Sequence, residues 1–192
     1  MKYDLVLKNG LIFCCLIGML WWFYVQSQSS NPVPTRAKPQ EYMSFLTITN
    51  YSEVGRPKEK LQADYWEFIP NHGRSDLSNP FVTIYKDNGN VWLLSAKKAL
   101  AWHPTIGDRI TQLDMVENVV IERTADNGAT PTKVATQAMQ YFPSKGLISS
   151  SEYVSMQQPG LLISGYGLSG YLDKNRIELH DNITTVYHQN AS

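Results

Sequence analysis

The sixteen residues from Gly10 to Val25 carry no charge and are almost wholly apolar. A run of that kind cannot sit on the surface of a water-soluble domain, so the remainder of the chain has to be organised around it. As a helix it rises about 24 Å, while a bilayer core of ~30 Å calls for about 20 residues. The helix therefore reaches back towards Leu5, with Lys8 snorkelling to the interface. The expected anchor comprises Gly10, Leu11, Ile12, Phe13, Leu16, Ile17, Gly18, Leu20, Trp21 and Trp22. The order is a short start at 1–8, a membrane helix at 9–25 and exported residues beyond. Lys2 and Lys8 precede the run and the next positive charge is Arg36, an asymmetry that predicts a cytoplasmic N-terminus. Trp21-Trp22-Phe23-Tyr24 suits the exit interface. No small-x-small cleavage site follows, so the run reads as a retained anchor and not as a signal peptide.

Residues 26–40 are polar, with Pro32, Pro34 and Pro39 and no apolar periodicity, as expected of a semi-extended tether. The expected folded domain spans 41–189, enough for one core. With 17 basic and 17 acidic residues, the chain lacks the concentrated positive charge that nucleic-acid binding needs. Both cysteines, Cys14 and Cys15, lie inside the anchor, which leaves the exported part without disulfide or thiol chemistry.

From Tyr42 onward the texture is short apolar or alternating runs punctuated by Gly, Pro, Asn and Asp. Strands are expected at Tyr42–Tyr51, Lys60–Phe68, Phe81–Lys86, Val91–Ala96, Leu113–Glu122, Glu152–Met156, Leu161–Ser164 and Ile177–Tyr187. Asp87-Asn88-Gly89-Asn90 signals a hairpin, and Asp126-Asn127-Gly128 a turn. Leu93–Trp102 and Thr132–Tyr141 consist of good helix formers, yet their hairpin-rich setting argues for strands. The class is all-β, a sandwich or barrel. An internal echo supports this: residues 113–121 and 177–185, 64 apart, share an alternating apolar pattern followed by an acidic residue and Asn. Glu117-Asn118 and Asp181-Asn182 read as bulges or kinks, with odd-numbered side chains sharing a face.

Catalytic signals are weak. No two of His72, His103, His180 and His188 stand at metal-ligand spacing, and no Gly-x-Ser-x-Gly occurs. Gly165-Tyr-Gly-Leu-Ser-Gly170 matches a dinucleotide-loop pattern, but no amphipathic helix follows to hold a pyrophosphate. Glycines that permit a sharp bend are the better account. No cofactor, catalytic residue or metal ligand is assigned. What remains is a membrane-tethered β domain rich in Tyr, Trp, Phe, Leu and Ile. Such a domain either fills its core or encloses a dry groove for acyl chains, each buried methylene contributing ~0.8 kcal/mol.

Several stretches together resemble the LptC family of the lipopolysaccharide export bridge of Gram-negative bacteria. They are Tyr42-Met-Ser-Phe-Leu-Thr47, Lys60-Leu-Gln-Ala-Asp-Tyr65, Asn79-Pro80 through Asn88-Gly89 to Trp92, Leu94-Ser-Ala96-Lys-Lys-Ala99, and the Ile/Leu-x-Leu-x-x-Asn-Val/Ile repeats. Glu117-Asn118 departs from the Gly that the family often has there. The resemblance implies an open, twisted β-jellyroll of antiparallel strands behind one transmembrane helix, in the bacterial inner membrane with its C-terminal domain periplasmic. It implies lipopolysaccharide transport: the domain receives lipopolysaccharide from the ABC transporter of LptB, LptF and LptG and passes its acyl chains to LptA. The N-terminal edge and membrane helix would meet LptF and LptG, and the C-terminal strand LptA. An adaptor that joins these partners without touching lipid is the alternative. Expected groove residues are Phe45, Thr47, Leu61, Tyr65 and Trp92 from the early strands, Leu113, Met115, Val119 and Ile121 from the first repeat, and Ile177, Leu179, Ile183 and Tyr187 from the second.

Overall fold

The computed structural model describes residues 41–69, 73–103, 108–125 and 131–187. The anchor, the tether and the Asp126-Asn127-Gly128 turn fall outside them. Among the described residues no helix is long and apolar enough to cross a membrane.

The described residues hold eleven antiparallel strands: β1 Glu41–Tyr51, β2 Pro57–Ile69, β3 Arg74–Ser78, β4 Phe81–Tyr85, β5 Asn90–Ser95, β6 Lys98–Trp102, β7 Gln112–Ala125, β8 Thr132–Phe142, β9 Leu147–Gln158, β10 Leu161–Tyr171 and β11 Arg176–Tyr187. Single-turn 3₁₀ segments at Pro143–Lys145 and Leu172–Lys174 link β8 to β9 and β10 to β11. Thr132–Tyr141 is a strand despite its helix-forming composition, because its alternating buried and exposed residues fit between β7 and β9. Leu93–Trp102 is not one strand but two, β5 and β6, broken at Ala96–Lys97. β3 was not legible as a strand, and β10 runs seven residues past the expected end at Ser164, to Tyr171.

The pairings reveal a meander of bent strands. β2 pairs through Glu59–Gln62 with β4 and through Tyr65–Ile69 with β3. β7 likewise pairs through Gln112–Val116 with β6 and through Val120–Ala125 with β5. Thus β3–β4 and β5–β6 each act as one strand interrupted at a corner, and every long strand crosses the same corner into a second layer. Left-handed backbone gathers there: Phe45 in β1, Asn79 between β3 and β4, Glu117 and Asn118 in β7, Gly167 in β10 and Asn182 in β11 all have φ between +49° and +74°. The register of β7 on β8 shifts between Val116 and Val119, and that of β10 on β11 between Ser164 and Tyr166. The acidic-Asn pairs of the two repeats are therefore the bends, as their residue types predicted.

Side chains between the layers form one core that includes Trp66, Phe68, Trp92, Leu94, Met115, Ile121, Val134, Tyr141, Ile148 and Leu172. Crossing the corner takes either three or four residues. Consecutive inward residues are four apart in β7 (Met115 to Val119) and β9 (Ser150 to Val154), but three apart in β2 (Ala63 to Trp66) and β8 (Thr136 to Met139). A four-residue step preserves the odd–even alternation and a three-residue step inverts it.

Candidate functional site

β1 and β11 are the two ends of the sheet. Among the described residues β1 pairs only with β2 and β11 only with β10, and they do not pair with each other. Each leaves one row of backbone N–H and C=O groups without a strand partner, the feature by which an edge takes up a further strand. Between them runs the inner face of both layers, mostly apolar, with Thr132, Thr136 and Ser150 among its buried side chains. Ile48 of β1 pairs with Leu61, and Leu61 with Val82. At the far end Leu94, Ile121, Val134, Met156, Ile163 and Thr185 line up across β5, β7, β8, β9, β10 and β11.

Along this path the centre is closed and the ends are open. Met115, Val119, Ile121, Val134 and Ile148 are fully buried, whereas Ile48 is 38% and Ile183 54% exposed and Tyr187 78%. The odd-numbered face expected for the repeats holds. Leu113, Met115, Val119 and Ile121 lie in the core, Ile177 and Leu179 pack against it, and Ile183 and Tyr187 continue the same face beyond the corner. Leu61 and Trp92 are also core.

Three expected residues are placed otherwise. Phe45 stands at the corner with φ +57° and is 84% exposed. Thr47 is exposed and pairs with Gln62, off the line that Ile48 and Leu61 form. Tyr65 faces outward and stacks on Tyr42 with ring centroids 6.4 Å apart. The cause is the three-residue crossing in β1 and β2, which inverts the alternation. On the inner face Leu46 and Ile48 take the places assigned to Phe45 and Thr47, and Trp66 that of Tyr65. Ile163, Met156 and Trp66 were missed altogether, and only knowing where each strand crosses the corner would have found them.

Polar side chains meet across the two layers at the strand ends farthest from the corner. Glu59, early in β2, receives hydrogen bonds from Asn50 and from the Tyr141 hydroxyl of β8. Burial pushes the Glu59 carboxyl above its usual range, opposed by those hydrogen bonds and by Lys58 and Lys86. Burial, then the nearby Glu59 and Asp173 charges, hold the Tyr141 hydroxyl protonated. Beside them Lys86, at the β4–β5 hairpin, ion-pairs with Asp173, at the β10–β11 turn.

A separate cleft of about 630 Å³ opens over the corner, lined by Asp114, Gln140, Ser149, Tyr166, His180 and Asp181 among others. Asp114 is already engaged by Trp102 Nε1 at 2.6 Å and by Gln112 Nε2 at 2.6 Å. Among the described residues no group of three or more His, Cys, Asp or Glu could hold a metal ion.

The dinucleotide-like glycines lie inside β10, where they serve the bend and the packing. Gly167 has φ +74°, a Cβ on Gly165 would approach the Asp181 carbonyl oxygen to 2.8 Å, and one on Gly170 would collide with Ile148. Gly165→Ala is therefore expected to push β11 away from β10, since backbone cannot yield as a side-chain tip can. Hydrogen exchange should quicken across Asp181–Tyr187 while β7 and β8 stay protected; unchanged exchange in β11 would refute this.

A family model described as lipopolysaccharide-assembly, LptC-related, matches residues 10–188. The crystal structure of LptH, the LptA-homologous periplasmic component of the conserved lipopolysaccharide transport device of Pseudomonas aeruginosa, superposes with a TM-score of 0.51. The match covers 68% of this chain and 94% of that one at 12% identity, a likeness of fold. No curated protein matches.

Proposed function

Since this chain belongs to the LptC-related lipopolysaccharide-assembly family, we propose that its β domain is a membrane-anchored segment of the lipopolysaccharide transport bridge. It stands in the periplasm on a helix of the inner membrane and accepts lipopolysaccharide from the LptB, LptF and LptG transporter. It then passes the acyl chains towards LptA. The observation that carries this reading is a mostly apolar inner face that runs between two strands, β1 and β11, each paired on one side only among the described residues. Strand addition at each edge would extend the sheet into a neighbouring jellyroll and join their inner faces end to end. Acyl chains would travel along that face while the sugars stay in water. β1 directly follows the tether and is the edge assigned to LptF; β11 is assigned to LptA. The transport energy comes from the ATPase subunit LptB, acting through LptF and LptG.

The fully buried centre of the inner face favours the second reading, an adaptor that joins its partners without carrying lipid. Site-specific photo-crosslinking separates the two. In cells making lipopolysaccharide, a photoreactive residue at Tyr187, on the inner face, is expected to capture lipid. One at Val186, which faces the other way and pairs with Leu162, is not. Capture at neither position by a folded, membrane-bound chain would establish the adaptor instead.

A further inference from the structure

The bends and the cross-layer contacts lie at opposite ends of the strands. Asn79, Lys97, Glu117, Asn118 and Asn182 mark the corner at which the two layers meet. Glu59, Lys86, Tyr141 and Asp173 lie four to seven residues from it along their own strands, roughly 13–23 Å at the rise of a β-strand. Glu59 and Lys86 belong to the layer built from the start of β2 with β4 and β5. Tyr141 and Asp173 belong to the opposite layer, with the end of β8 and the β10–β11 turn. Two sheets joined along one line can separate only at the side away from it, and there these four side chains touch.

We propose that Glu59–Tyr141 and Lys86–Asp173 form a latch that holds the two layers shut, and that releasing it opens the inner face to acyl chains. This rests on the conduit reading above. The buried state of the interior requires some such opening: Met115, Val119, Ile121 and Val134 are fully buried, so an acyl chain reaches them only if the layers part. The corner can act as a hinge because left-handed backbone already bends the strands there, at Phe45, Asn79, Glu117, Asn118, Gly167 and Asn182. The latch contacts are of a kind that opens readily. In Lys86–Asp173 the Lys86 side chain is 15% exposed and that of Asp173 65%, so water reaches the pair from the Asp173 side and screens it. The Glu59 carboxylate is penalised by burial, so opening relieves it. The Trp92 indole Nε1, buried between the layers, finds no acceptor among the described residues. An ester or hydroxyl oxygen of an entering acyl chain would supply one.

The test uses the full-length chain with Cys14→Ser and Cys15→Ser, carrying Lys86→Cys and Asp173→Cys and a photoreactive residue at Ile163, half-buried on the inner face. Without a cross-linker the latch ion pair is gone, and lipopolysaccharide capture at Ile163 is expected to equal or exceed that of the chain with Lys86 and Asp173 intact. Bridging the two thiols with a short bis-methanethiosulfonate reagent should abolish capture, and reductant should restore it. Binding of LptA, which needs only the β11 edge, should be unaffected throughout. Equal capture before and after bridging would overturn the latch and leave the conduit standing. No capture at Ile163 in any form, with LptA still bound, would overturn the conduit and the latch together.

Discussion

If β11 receives a strand of LptA as proposed, proline at Thr184 or at Thr185 is expected to weaken that docking, and hydrogen exchange in β10 shows which of the two N–H groups faces outward. Successive N–H groups of a strand point to opposite sides, so one of these neighbours faces β10 and the other faces outward. Thr184 pairs with Ser164 and Thr185 with Ile163. At the position facing β10, proline removes a ladder bond and frays β11 from the sheet. At the outward position the sheet stays whole, since proline is tolerated on an edge when its missing N–H faces away. There the loss falls on the incoming strand. One main-chain hydrogen bond at about 0.5–1.5 kcal/mol, together with the displacement its ring forces, is expected to weaken docking by about 2 kcal/mol or roughly thirtyfold in Kd. Pull-down with LptA measures the loss, and hydrogen exchange in β10 tells the two positions apart. If both variants bound LptA at full strength, strand addition at β11 would be the wrong mode of contact.

Local chemistry was legible in the sequence wherever a few adjacent residues decide it. Asn88-Gly89 closes the β4–β5 hairpin as expected, with Gly89 at φ +81°. The acidic-Asn pairs are the bends of β7 and β11, and the glycines after Ser164 relieve a bend and not a phosphate. What could not be read depends on residues far apart. Phe45, Thr47 and Tyr65 were placed on the wrong face because β1 and β2 cross the corner in three residues, and nothing in Ser44-Phe45-Leu46 or Asp64-Tyr65 distinguishes a three-residue from a four-residue crossing. The meeting of Lys86 with Asp173 joins residues 87 apart, one at the end of an expected strand and the other between two, and nothing local brings them together. Strand order is equally non-local, and it alone decides which of two similar repeats is buried.

That last point separates two substitutions at equivalent places. Val119 and Ile183 occupy the same position in their repeats, each following the acidic-Asn bend, and both lie on the inner face. β7 lies between β5, β6 and β8, so Val119 is fully buried; β11 is an end strand, and Ile183 is 54% exposed. Val119→Asp forfeits about 1.5–3 kcal/mol of apolar burial and buries a carboxylate opposite Thr136, whose hydroxyl is already bonded to the Tyr153 carbonyl, at a cost of several kcal/mol more. Against a total stability of roughly 5–15 kcal/mol, that is enough to unfold the domain. Ile183→Asp leaves its charge in water, so the cost to stability is expected to stay near 0.5 kcal/mol. The same carboxylate nevertheless stands in the path of an acyl chain, which would have to pass a hydrated charge on the inner face, and lipid capture at Tyr187 should disappear. Thermal melts by circular dichroism and the Tyr187 crosslink measure the two effects independently. A folded Val119→Asp domain would contradict the central place of β7. Undiminished capture in Ile183→Asp would mean that lipid does not pass this end of the inner face.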